Sequence, residues 1–87
     1  MAQIEIYTSM FCGYCHRAKR LLDTKGVAYD EVDVMFHPAK RQEMRERAGG
    51  RNTVPQIFVD GVHIGDSDRL MLLEAEGRLD QILGLAS

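Results

Sequence analysis

Cys12 and Cys15 stand three positions apart and are the only cysteines in the chain. Ahead of them runs Ile4-Glu5-Ile6-Tyr7-Thr8, whose β-branched and aromatic residues predict a strand over residues 3–8. Behind them His16-Arg17-Ala18-Lys19-Arg20-Leu21-Leu22-Asp23 reads as helix. A thiol pair at a strand-to-helix junction places its first sulfur where unpaired backbone N–H groups and the helix dipole favour negative charge. A thiol so placed loses its proton more readily and becomes a nucleophile at neutral pH. The junction therefore predicts a redox site with Cys12 as nucleophile and Cys15, one turn inside the helix, as resolving thiol. The competing use of this spacing is half a zinc site, which needs two further Cys or His ligands. His16, His37 and His63 are scattered without ligand spacing, so no metal site is expected.

At 87 residues the chain has room for one domain, residues 1–87, whose core must come from several short elements packed closely. A net charge of −2 gives no reason to expect nucleic acid or an anionic membrane as partner. No apolar run approaches the roughly 20 residues that span a bilayer, and residues 1–5 lack a basic region followed by a long apolar core. A lone thiol pair in such a chain predicts a reducing, cytoplasmic setting and a working dithiol in place of a structural staple.

Tyr14, Ala18, Leu21, Leu22 and Lys25 follow helical spacing, with the Lys25 stem at the edge, and Gly26 supplies the stop. Residues 27–34 predict a second strand, so strand, helix and strand imply a right-handed βαβ unit with parallel strands. Pro38 suits the first position of a second helix, where its missing N–H costs nothing. Residues 39–48 continue that helix, with Met44 and Ala48 inward and the many charges on a solvated face, and Gly49-Gly50 ends it. Gln56-Ile57-Phe58-Val59 and Val62-His63-Ile64 read as strands joined by the hairpin signal Asp60-Gly61. Asp66, Ser67 or Asp68 can cap a third helix carrying Leu70, Leu73 and Met71 to about Gly77. A short last helix over 79–84 has Leu79, Ile82 and Leu83 on one side. The order βαβαββαα makes one α/β unit.

Almost the whole chain resembles the glutaredoxin family of the thioredoxin superfamily. The carriers are Tyr7-Thr8, Cys12-Gly13-Tyr14-Cys15-His16, Thr53-Val54-Pro55-Gln56-Ile57-Phe58 and Ile64-Gly65-Asp66-Ser67-Asp68. The resemblance implies a thioredoxin-like fold, a central four-stranded mixed sheet flanked by helices. It also implies a cis peptide at Pro55 facing the cysteines, which frees the Val54 backbone to pair with an extended ligand. The ligand it implies is glutathione, bound through Tyr14, Thr53, Val54, Pro55, Ser67 and Asp68. Ser67 and Asp68 would take the α-amino-acid end, because a helix N-terminus offers N–H donors to a carboxylate and a neighbouring Asp can hold an ammonium group. Arg47 or Arg51 would take the glycine carboxylate.

The implied activity is a glutathione-dependent thiol–disulfide oxidoreductase acting on disulfide-containing or glutathionylated proteins as a monomer. Four positions depart from the family pattern. Gly13 stands where most dithiol members carry Pro, Ser9 where many carry Lys, Asp66 for the second glycine of Gly-Gly, and Arg69 for a second Asp. Gly13 also resembles the monothiol Cys-Gly-Phe-Ser type. The alternative is therefore a homodimer bridged by a [2Fe–2S] cluster through Cys12 and glutathione.

Overall fold

The computed structural model describes residues 2–85. In chain order its elements are β1 (Ile4–Thr8), α1 (Gly13–Thr24), β2 (Asp30–Asp33), α2 (Pro38–Arg47), β3 (Gln56–Val59), β4 (Val62–Gly65), α3 (Ser67–Ala75) and α4 (Leu79–Ile82). The strands form one mixed sheet in the order β2-β1-β3-β4. β1 and β2 run parallel, and β1–β3 and β3–β4 run antiparallel. This is the thioredoxin-like α/β architecture that the resemblance implied.

Strand alternation divides the side chains between two cores. Ile4, Ile6, Ile57 and Val59 face α1, α3 and α4, where Ala18, Leu22, Leu70, Leu73, Leu79 and Leu83 close over them. Tyr7 and Phe58 face the other way and meet Val34, Met44 and Ala48, their rings edge to face at 5.5 Å. The central strand β3 is buried along its whole length because both sheet faces are covered. Burying each such large apolar side chain contributes about 1.5–3 kcal/mol.

The β3–β4 turn is the predicted one: Asp60 and Gly61 both adopt positive φ, 51° and 79°, as a two-residue hairpin matching the strand twist requires. The Asp60 carboxylate also accepts the Gln3 N–H at 2.8 Å. β2 is shorter than the predicted 27–34. It is an edge strand that pairs with β1, Glu5 opposite Asp30 and Thr8 opposite Asp33, and β1 itself begins only at Ile4. Val27 is buried all the same, as part of the approach to the strand. The buried stripe of α1 is Cys15, Ala18 and Leu22, and Tyr14 lies outside it, 61% exposed. Lys25 caps α1, and its ammonium reaches Glu74 on α3 at 2.8 Å and Asp80 on α4 at 2.7 Å.

Only Met44 within α2 is fully buried, so charge must help to dock it. Arg47 supplies that. Its guanidinium donates twice to the Glu5 carboxylate, at 3.0 and 3.1 Å, and once to the Tyr7 hydroxyl at 2.8 Å. It also lies over the Phe58 ring, 4.1 Å from its centroid. That arrangement holds the Glu5 carboxyl below its usual range. The charged helix is thus anchored by one of the charges expected to lie on its wet face.

Candidate functional site

Cys12 is the N-cap of α1, with extended backbone at φ −104° and ψ 110°. Its Sγ accepts the Cys15 N–H at 3.1 Å, one of the orphan donors of the first helical turn. An N–H aimed at sulfur stabilises negative charge there. On its other side the Sγ lies 3.6 Å from the Val54 carbonyl oxygen, to which the protonated thiol donates. The Val54–Pro55 peptide is cis. Positions 12 and 54, 42 residues apart, are thereby in direct contact.

The second thiol has a different environment. Cys15 is 1% exposed, and both cysteines are free thiols. Burial and then the hydrogen bond with Cys12 push the Cys15 thiol up to about 12, a Ser9 backbone hydrogen bond opposes them, and the nearby Cys12 charge adds to the rise more than the Lys19 charge subtracts from it. Two of the three upward causes come from Cys12 and vanish once that sulfur is tied up in a mixed disulfide. Burial also closes Cys15 to bulk solvent, so the disulfide best placed for its attack is one held on Cys12. Of the basic residues near the helix start, Arg17 and Arg20 are exposed. Lys19 is committed to Glu31 at 2.9 Å, and Glu31 in turn accepts the Thr8 hydroxyl at 2.7 Å.

A cleft of about 310 Å³ is lined by Tyr14, Arg51, Thr53, Val54, Pro55, Asp66, Ser67 and Asp68. All six residues expected at the ligand groove meet in it. They arrive from three separate elements: the first turn of α1, the loop entering β3 and the first turn of α3. Gly65 permits the last of these. It has φ 138°, and a Cβ there would come within 2.8 Å of the Arg69 side chain, which packs over it. Asp66 is the N-cap of α3, its Oδ1 accepting the Arg69 N–H at 3.0 Å.

The two arginines considered for a ligand carboxylate behave differently. Arg47 is spent on Glu5 and Tyr7, as described, whereas Arg51 lines the cleft with its guanidinium on Asp66 Oδ2 at 2.7 Å. Sequence reasoning missed that ion pair, and it missed the support beneath the Thr53-Val54 loop. The fully buried Gln56 amide donates to the Thr53 carbonyl at 3.0 Å and hydroxyl at 3.2 Å. Since its NH₂ is so used, its Oε1 accepts from His63 Nε2 at 2.6 Å. A Gln directly after Pro55 was the only available signal for the second feature. Met10, Phe11, Met35 and Phe36 were also unremarked, and they are exposed apolar residues in the loops that follow β1 and β2.

Fold and site together define a thiol–disulfide oxidoreductase built on a close cysteine pair, Cys12 and Cys15. The sequence profile of the glutaredoxin family matches residues 4–64. The chain is 54% identical over 83 residues to glutaredoxin 3 of Escherichia coli (strain K12), covering 95% of this chain and 99% of that protein. Among solved structures, the glutaredoxin from Brucella melitensis matches with a TM-score of 0.85 at 48% identity, covering 100% of this chain and 94% of that one. The buckwheat glutaredoxin–glutathione complex matches with a TM-score of 0.86 at 29% identity, covering 95% of this chain and 77% of that one. The chain belongs to the glutaredoxin family. Among the described residues, no helix is long and apolar enough to cross a membrane.

Proposed function

We propose that this chain, a single glutaredoxin domain working as a monomer in the reducing cytoplasm, reduces protein disulfides and glutathione mixed disulfides with glutathione as co-substrate. The observation that carries the reading is the cleft beside Cys12, where Tyr14, Thr53, Val54, Pro55, Ser67 and Asp68 gather around one ligand-sized space. The likeness to a glutaredoxin solved with glutathione supports it.

In this reading the Cys12 thiolate attacks one sulfur of the substrate disulfide. The substrate S–S bond breaks, and the departing thiolate takes a proton from solvent. A Cys12 mixed disulfide remains. Two routes then resolve it. The thiolate of glutathione attacks the mixed disulfide, or Cys15, relieved of the Cys12 charge and hydrogen bond, loses its proton and attacks the Cys12 sulfur, closing the Cys12–Cys15 disulfide. Two glutathione molecules then return that disulfide to the dithiol and leave as glutathione disulfide.

The test is reduction of a glutathionylated protein by glutathione. Cys12→Ser is expected to abolish it, and Cys15→Ser to keep the glutathione route while losing the reduction of protein disulfides that need the second thiol. Full activity in Cys12→Ser would overturn the assignment of the nucleophile.

The geometry bears on the [2Fe–2S] alternative through its donor set. Among the described residues no three Cys, His, Asp or Glu side chains gather as a metal-ion ligand set. Cys12 is the accessible thiol, so a cluster would need glutathione and a second subunit for its remaining ligands. Dithiol exchange has the more direct support.

A further inference from the structure

The α3 end of the cleft carries a charge arrangement that the glutathione reading does not require. Asp66 presents a carboxylate at the very start of the helix, where its Oδ1 takes the Arg69 N–H and its Oδ2 holds the Arg51 guanidinium. One of the helix's terminal donors is therefore already used by the chain's own carboxylate. Next to it the Ser67 hydroxyl, in a residue 3% exposed, has no hydrogen-bond partner among the described residues, and Ser67 lines the same cleft. Arg51, Asp66 and Asp68 all line the cleft too, so two carboxylates there face one guanidinium. If Asp68 receives the ammonium of an α-amino-acid end, Asp66 is the surplus negative charge beside the place where that end's carboxylate must go.

Resting on the function proposed above, we propose that Asp66 is a specificity-determining residue. Its carboxylate, tethered across the cleft by Arg51, occupies part of the donor set and of the field that an incoming α-amino-acid carboxylate would use. It thereby lowers the preference of the site for glutathione over uncharged thiols. Arg51 has the opposite effect, because it offsets the Asp66 charge. Both effects are electrostatic and partly exposed to solvent, so added salt reduces them.

The test compares glutathione with 2-mercaptoethanol, a neutral thiol of the same reactivity class, as reductants of one glutathionylated protein. Asp66→Asn removes the charge and keeps a side chain that caps a helix about as well as Asp. The ratio of kcat/KM for glutathione to kcat/KM for 2-mercaptoethanol is expected to rise about three- to tenfold in Asp66→Asn, the scale of one unit charge removed at close range in a solvated cleft. Arg51→Gln is expected to lower the same ratio, and 0.5 M salt to bring both variants nearer to the wild type. A ratio in Asp66→Asn equal to or below the wild-type value, with saturable glutathione dependence intact, overturns the role of Asp66 alone. Absence of saturable glutathione dependence in the wild type overturns this inference and the function on which it rests.

Discussion

Gly13 occupies the first position of α1, one residue after the sulfur that caps the helix. Apart from its chain neighbours and the helix's own backbone, no described residue lies within 4 Å of a Cβ built there, and the preceding Cys12 already has the extended backbone that a following proline demands. Proline is favoured at this helical position, since its fixed φ suits the helix and its missing N–H is an orphan anyway. Gly13→Pro is therefore expected to stabilise the fold by about 0.4–1 kcal/mol, chiefly by restricting the unfolded chain. For a domain of this size that raises Tm by roughly 2–8 °C in a thermal melt. A lower Tm would show that the first turn of α1 needs the freedom of glycine. Tyr14, the next residue, marks how far local reading goes. Helical spacing placed it with the buried stripe, but that stripe passes through Cys15, and Tyr14 is left to line the cleft. Two adjacent positions sit 100° apart on a helix, and a short helix with apolar residues on several sides does not reveal which of them faces the sheet.

At the scale of elements, α2 is the helix whose docking depends least on apolar area. Arg47 ties it to β1 through Glu5 and Tyr7 and stacks on Phe58 of β3. Arg47→Ala leaves Glu5 without its partner and opens the packing above Phe58. It is expected to cost about 1–3 kcal/mol, read as a lower urea midpoint. Lys40, on the same helix, pairs with Glu43 one turn away and is well exposed. Lys40→Ala is expected to stay within about 0.5 kcal/mol of the wild type. Equal effects from the two substitutions would return α2 to the role of a solvated face. The two arginines Arg47 and Arg51 also show why site residues are harder to read than elements. Both were open to a ligand-binding role in the sequence, but the parallel and antiparallel registers of β1 and β3 carry Glu5 and Tyr7 under the end of α2, and this fixes Arg47 as a structural anchor.

For the whole molecule, the groups shifted by folding set a pH window. Glu5, Glu31 and Asp66 are held below their usual range, chiefly by hydrogen bonds from Arg47, Lys19 and the Arg69 N–H in turn. Their contribution is present above the unfolded values and is lost as pH falls through the folded ones. On the alkaline side Cys15 moves from 9.0 unfolded to about 12 folded. Between those values the unfolded chain has released a proton that the folded chain keeps, so stability declines as pH rises. Lys19, Lys25 and Tyr29 are also raised and act in the same direction. The reduced protein is expected to show a plateau of denaturation midpoints near pH 5–8, a fall below about pH 4.5 and a second fall above about pH 9. Cys15→Ala is expected to flatten the alkaline limb, and an unchanged alkaline slope in that variant would locate the effect elsewhere.

What the sequence determined by itself is what short stretches settle locally. The β-branched and aromatic residues of Ile4–Thr8 and Gln56–Val59, the Asp60-Gly61 turn, Pro38 at the start of α2 and the cysteine pair at the start of α1 all depend on neighbours within a few residues. Backbone geometry and capping act over that same range. The resemblance carried by longer motifs then supplied the fold and the residues of the groove. Tertiary structure alone decided what depends on partners far along the chain. It ended β2 where β1 ran out, buried Cys15 while leaving Cys12 accessible, and brought Val54 against a sulfur 42 positions away. It also sent Arg47 to Glu5 and Arg51 to Asp66. A charged side chain has many acceptable partners of similar energy, and only the packed sheet and helices choose among them. The thiol pair thus announces the chemistry, and the fold sets which thiol acts first and what stands beside it in the cleft.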